Sequence, residues 1–92
     1  MLLVLLKVFL QPKVNAITSA SPGVATISGG HNFKEGQQIT FSAVTASNNS
    51  VAITTSDVFT VRNPSGTTFE LYESDGTTAT NITAYTSGTV VH

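Results

Sequence analysis

Alternation of apolar and polar side chains is clearest between Asp57 and Tyr72, where two alternating runs flank a turn sequence. Pro64 presets φ at the second position of Asn63-Pro64-Ser65-Gly66 and glycine suits the fourth, so we expect a β-hairpin here. Alternation places two pairs of large apolar side chains where they can meet across the hairpin. These residues, the predicted centre of the core, are Phe59, Val61, Phe69 and Leu71.

The opposite face of this hairpin carries small or charged side chains, which we expect to be solvated or paired across strands. They are Thr60, Arg62, Thr68 and Glu70. Weaker alternation predicts further strands at 13–20, 24–28, 37–44 and 81–92, separated by turn signals rich in Gly and Pro. The expected inward positions of these strands include Val24, Ile27, Ile39 and Phe41. Segment 45–56 is compatible with either a loop or a short edge strand.

Strand signals recur at intervals of about 10 to 14 residues along the whole chain. Beyond the first ten residues, no window repeats apolar residues at helical spacing. The pattern therefore predicts an all-β fold, a small β-sandwich or open barrel, as a single β-domain at 13–92.

The first ten residues, MLLVLLKVFL, are apolar except for Lys7. A transmembrane helix needs about 20 apolar residues, which is more than this run provides. A secretory signal has a basic residue ahead of its apolar run, which is missing here. We favour an N-terminal arm at 1–12 that packs against its own domain or a neighbouring subunit. The predicted partner-binding residues of this arm are Leu2, Leu3, Val4, Leu5, Leu6, Val8, Phe9 and Leu10.

Composition narrows the choice of partners. Only 10% of the 92 residues are charged, against roughly 25% in an average soluble domain, which suggests a surface that becomes covered. The four basic residues are dispersed, whereas nucleic-acid binding needs them clustered, so neither a nucleic-acid nor a membrane partner is expected. The chain has no cysteine, so extra stability must come from packing or from another subunit.

Candidate chemistry is sparse. A site built on the two histidines, His31 and His92, would need the C-terminal residue to fold back and recruit a carboxylate. The acids Glu70, Glu73 and Asp75 lack the ligand spacing of a calcium loop. No GxSxG nucleophile elbow is present. We therefore predict no enzymatic activity, no cofactor and no metal.

Several short motifs, in order, resemble a small β-domain that recurs in tailed-bacteriophage structural proteins. This domain is similar in turn to the first catalytic-cysteine half-domain of ubiquitin-activating enzymes. The matching stretches are Ile17-Thr18 with Ala20 and Pro22, His31-Asn32-Phe33 with Gly36, Phe59-Thr60-Val61, Thr67-Thr68-Phe69-Glu70-Leu71 and Tyr85-Thr86-Ser87-Gly88-Thr89-Val90. The resemblance implies a structural module and no thioester chemistry.

The resemblance and the arm together lead us to expect a non-enzymatic virion protein, assembled in the host cytoplasm. The favoured role is a capsid cement or decoration protein that bridges neighbouring major capsid subunits and forms a homo-oligomer in the particle. The alternatives are a tail, neck or fibre-associated virion protein, or a carbohydrate-binding adhesive module. Carbohydrate sites usually present exposed aromatic rings, and this chain has no Trp and two Tyr.

Overall fold

The computed structural model describes residues 12–91, and every regular element within them is a β-strand. The all-β fold class predicted from alternation is confirmed. The strands are β1 Lys13–Val14, β2 Ala16–Ile17, β3 Val24–Thr26, β4 Gln38–Asn48, β5 Val51–Ala52, β6 Phe59–Arg62, β7 Thr68–Glu73 and β8 Ile82–Val91.

Seven of the strands form an antiparallel path in the order β1-β8-β4-β6-β7-β3-β2, and β5 pairs with the end of β4. Only Asn15 separates β1 from β2 along the chain, so the two ends of this path meet. The sheet therefore nearly closes on itself as a small barrel. Closure of this kind leaves few strand edges free.

The strand expected over 13–20 is divided because it serves two neighbours. β1 pairs with β8, whereas β2 pairs with β3. Between them the Asn15 amide donates to the Thr26 carbonyl at 2.8 Å. Val14 and Ile17 are both buried, although residues three apart point to opposite faces of a regular strand. The change of partner at Asn15 accounts for this break in alternation.

The hairpin predicted around 63–66 is the β6–β7 pair, with Val61 opposite Leu71 in the register. Its four predicted core residues are all buried, and the Phe59 ring meets Phe41 edge-on at 5.8 Å. The buried apolar cluster of the described residues comprises Val14, Ile17, Ala25, Ile27, Phe33, Ile39, Phe41, Ile53, Phe59, Val61, Phe69, Leu71, Ile82 and Val90.

Thr60, on the hairpin face predicted to be solvated or paired across strands, is paired: it is 4% exposed and its hydroxyl donates to the Glu73 carbonyl of β7 at 2.9 Å. The inward orientation predicted for Val24 is wrong. In β3 the inward residue is Ala25, opposite Phe69, and Val24 is only half-buried. Gly23 is buried just before β3, where a Cβ would collide with the Ile82 side chain. The chain therefore passes close to the Ile82 side chain just before β3 begins.

Half of segment 45–56, for which both a loop and a short edge strand were considered, is strand. β4 continues to Asn48, turns tightly through Asn49 and Ser50, and returns as β5. Both turn residues have positive φ, 51° and 65°, as a type I′ two-residue hairpin connection requires. β4 and β8 form the long ribbon of the barrel, and three irregularities in register curl it.

Candidate functional site

The arm residues predicted to bind a partner, Leu2 to Leu10, lie outside the described residues. The structure does place the point at which the arm joins the domain. The Pro12 carbonyl accepts a hydrogen bond from the Val90 amide at 3.0 Å, and Lys13 pairs with Thr89. The arm therefore joins the barrel beside the C-terminal end of β8.

A cleft of about 590 Å³ lies between the β4–β5 hairpin, the segment before β6 and the end of β7. Two large apolar side chains on its lining are exposed, Val51 at 67% and Val58 at 38%. Among the described strands β5 pairs only with β4, so its outer edge is open to another strand. Exposed apolar side chains beside an open strand edge are typical of a protein-binding surface.

The floor of this cleft is a polar network centred on Glu73. One carboxylate oxygen of Glu73 accepts from the Thr80 hydroxyl at 2.5 Å and from the Asn48 side-chain amide at 3.1 Å. The Asn48 side-chain oxygen in turn accepts from the Asn81 backbone amide at 3.2 Å. Thr80 is fully buried, at 0% exposure. The network therefore ties the ends of β4 and β7 to the start of β8.

Asp57 supplies the second carboxylate of the cleft. Its side chain accepts from the Thr54 amide at 2.9 Å, and its own amide donates to the Thr54 carbonyl at 3.2 Å. These bonds close the turn that leads to Val58. The residues lining the cleft include two acids, Asp57 and Glu73, and no basic residue. The cleft thus combines an apolar rim with acidic character.

Arg62 lies on the lining of a second, smaller cleft of about 420 Å³. Its guanidinium pairs with Glu35, donates to the Gly76 carbonyl and lies 5.4 Å from the centre of the Tyr72 ring. These three contacts join the turn before β4 to the turn after β7. Since the guanidinium is engaged in these contacts within the domain, we assign Arg62 a structural role.

The three acids considered as a metal site do not converge. Glu70 accepts from the Asn63 side chain at 2.8 Å, whereas Glu73 belongs to the network with Thr80. Asp75 accepts from the Thr78 hydroxyl and from the amides of Thr78 and Thr77, and these hydrogen bonds lower the pKa of its carboxyl to about 2. Among the described residues no group of three or more His, Cys, Asp or Glu side chains is placed to hold a metal ion.

His31 is an aromatic component of the loop before β4. Its Nδ1 accepts from the Phe33 amide at 3.2 Å, so the protonated Nε2 donates to the Thr68 carbonyl at 2.9 Å. Its ring stacks on Phe33 at 5.2 Å and meets Phe69 edge-on at 5.2 Å. The other histidine, His92, lies outside the described residues. Alternation does not reveal this cluster, because Phe33 and His31 belong to no strand.

Both tyrosine rings have contacts within the domain. The Arg62 guanidinium lies over the Tyr72 ring, 5.4 Å from its centre. Tyr85 packs against the buried cluster, and its hydroxyl donates to the Val14 carbonyl at 2.6 Å. Burial raises the pKa of the Tyr85 phenol above its ordinary value of 10.0. The contact fastens β1 to β8 at the seam of the barrel.

Comparison with protein-family models, with curated proteins and with solved structures finds no match for this chain. The described residues contain no helix with the length and apolar character needed to cross a bilayer.

Proposed function

We propose that this chain is a non-enzymatic structural protein of a bacteriophage virion, a capsid cement or decoration protein whose arm bridges neighbouring subunits. The supporting observation is that the described residues from Val14 to Val90 already contribute to one buried apolar cluster. The sequence of the arm adds eight large apolar side chains to those of the described residues. A domain of this size has too little surface to carry them exposed, since soluble proteins avoid such patches.

The energy available supports an anchoring role. Burial contributes about 1.5 to 3 kcal/mol for each large apolar side chain, so eight such residues supply on the order of 12 to 24 kcal/mol before ordering costs. That gross contribution suffices to hold a small protein on a larger assembly. A tail, neck or fibre location uses the same arm in the same way, and imaging of the native particle separates these locations from the capsid.

The experiment compares the full chain with a variant lacking residues 1–10. We expect the full chain to self-associate or join the particle, and the truncated chain to sediment as a monomer and be missing from purified particles. Sedimentation equilibrium measures self-association, and cryo-electron microscopy of purified particles shows whether each chain is incorporated. Incorporation of the truncated chain at parental occupancy would overturn the bridging role.

A further inference from the structure

The cleft beside β5 and the arm have complementary chemistry. Both large exposed side chains recorded in the described region, Val51 and Val58, lie on this one cleft. The charged groups on its lining are the carboxylates of Asp57 and Glu73. The arm is apolar and carries one charge, the ammonium of Lys7. The cleft and the arm are therefore both apolar, and their charges are opposite in sign.

Alternation within the arm divides these properties between two faces. In an extended segment, successive side chains point to opposite sides. Leu2, Val4, Leu6, Val8 and Leu10 then form one wholly apolar face. Lys7 lies on the other face between Leu5 and Phe9. One face suits the valines of the rim, and the other presents a single cation to the acids.

The strand edge supplies the third element of the match. β5 pairs with β4 and with no other strand of the described chain. Its outer backbone groups are therefore available to an added strand, whose main-chain hydrogen bonds would provide affinity while side-chain pockets provide register.

We propose that this cleft receives the segment Leu2–Leu10 of a second copy of the chain, which adds a strand to β5 and places Lys7 beside Asp57 and Glu73. The inference rests on the proposed bridging function and names the surface that the bridge uses. A reciprocal exchange gives a closed dimer, whereas a one-way exchange links copies in a series.

Disulfide trapping tests the contact directly, because the natural chain has no cysteine. One protein carries Leu6→Cys and a size tag, and another carries Val58→Cys. After mixing and mild oxidation we expect a heterodimer on a non-reducing gel. The matched control replaces Val58→Cys with Thr86→Cys, which is exposed on β8 outside the cleft lining. Absence of the heterodimer, or an equal yield from the control, overturns the proposal.

Charge reversal tests the register. Lys7→Glu should weaken self-association by roughly tenfold or more, the effect of breaking a close charge pair at an interface. Adding Asp57→Lys to the same protein should restore it. Lys13→Glu, which removes an exposed cation outside the arm, is the control and should leave association unchanged. Unchanged thermal melts verify that each variant is folded.

The outcomes separate this inference from the function on which it rests. If removal of residues 1–10 abolishes association while the cleft substitutions do not affect it, the bridging function stands and the cleft assignment is wrong. If the full chain does not associate with itself yet joins a particle, the partner is a different protein and the exchange between copies is refuted. If truncation has no effect on association or incorporation, the bridging function itself fails.

Discussion

At the scale of single residues, the Phe69 side chain connects the central hairpin to the loop before β4. It is 1% exposed, and its ring lies edge-on to Phe33 at 5.4 Å as well as to His31. Alternation identified Phe69 as a core residue, and the aromatic neighbours come from a loop with no regular pattern. Loss of this ring would leave a cavity bordered by both elements.

Phe69→Ala should lower the free energy of unfolding by about 3 to 5 kcal/mol, as expected for a deleted buried phenyl ring. Total stabilities are about 5 to 15 kcal/mol, so a large share of the stability would be lost. Urea titration followed by circular dichroism measures the change. Val58→Ala, at a position 38% exposed, is the control and should melt near the parent. A Phe69→Ala protein that melts within about two degrees of the parent would contradict the core assignment.

Asp75 makes the stability of the folded chain depend on pH in a predictable direction. Its carboxyl has a pKa of about 2 in the folded chain, lowered from an ordinary 3.8 by hydrogen bonds from Thr78 and Thr77. A depressed folded pKa means that the unfolded chain binds the proton more tightly, so this contribution is present above pH 3.8 and is lost as the pH falls toward 2. We expect Asp75→Asn to remove that part of the acid-induced fall in melting temperature. If the melting temperatures of parent and variant fall by the same amount as the pH is lowered from 3.8 to 2, the assignment is refuted.

At the scale of elements, the turn that connects β4 to β5 contains backbone strain. Ser50 has φ of 65°, a region that favours glycine, while its amide donates to the Thr83 hydroxyl at 2.9 Å. Asn49 also has positive φ, but asparagine tolerates this conformation better than serine. The turn is therefore strained mainly at Ser50.

Ser50→Gly should raise the free energy of unfolding by about 0.5 to 1 kcal/mol, because glycine relieves the left-handed strain and keeps the backbone amide. Thermal or urea unfolding measures the gain. Ser56→Gly is the matched control, since Ser56 is not among the residues with positive φ, and it should give no stabilisation. Equal effects of the two substitutions would show that the hairpin turn carries no strain.

At the scale of the whole molecule, closure of the barrel depends on the divided strand 13–17. β1 and β2 hold opposite ends of the sheet path, and the Asn15 side chain accepts from the Ser28 amide at 2.7 Å where they separate. The Tyr85 hydroxyl reinforces the same seam through the Val14 carbonyl. The barrel is therefore completed by residues that follow the arm directly.

Removal of residues 1–10 should consequently leave a folded domain, since β1 and β2, which hold the two ends of the sheet path, both follow the deleted residues. We expect a cooperative thermal transition and a far-ultraviolet spectrum typical of β-structure in the truncated chain. A further deletion through Val14 serves as the contrast, because it removes β1 and should open the seam and abolish cooperative unfolding. Loss of folding on removal of residues 1–10 alone would assign the arm to the intramolecular core.

The alternating pattern by itself determined the all-β class, the β6–β7 hairpin and the inward positions of its long apolar side chains. These features are local: a period of two, interrupted by Pro and Gly, specifies strand and face without reference to distant residues. The cleft was not predicted, because its valines come from segment 45–56 and from the residue before β6, where alternation is weak. The apolar arm was evident from composition alone, and its role stays a prediction.

Only the tertiary structure decided which residues depart from the local rule. The buried hydroxyls of Thr60 and Thr80 both donate to Glu73 oxygens, and Ala25, opposite Phe69 in the register, is buried in place of Val24. Closure of the barrel required β1 and β2 to take different partners within five residues. Each of these outcomes arises from contacts between residues far apart in sequence. A local pattern cannot encode them, because the partner that satisfies a polar group or fills a gap is known only once the sheet has curled.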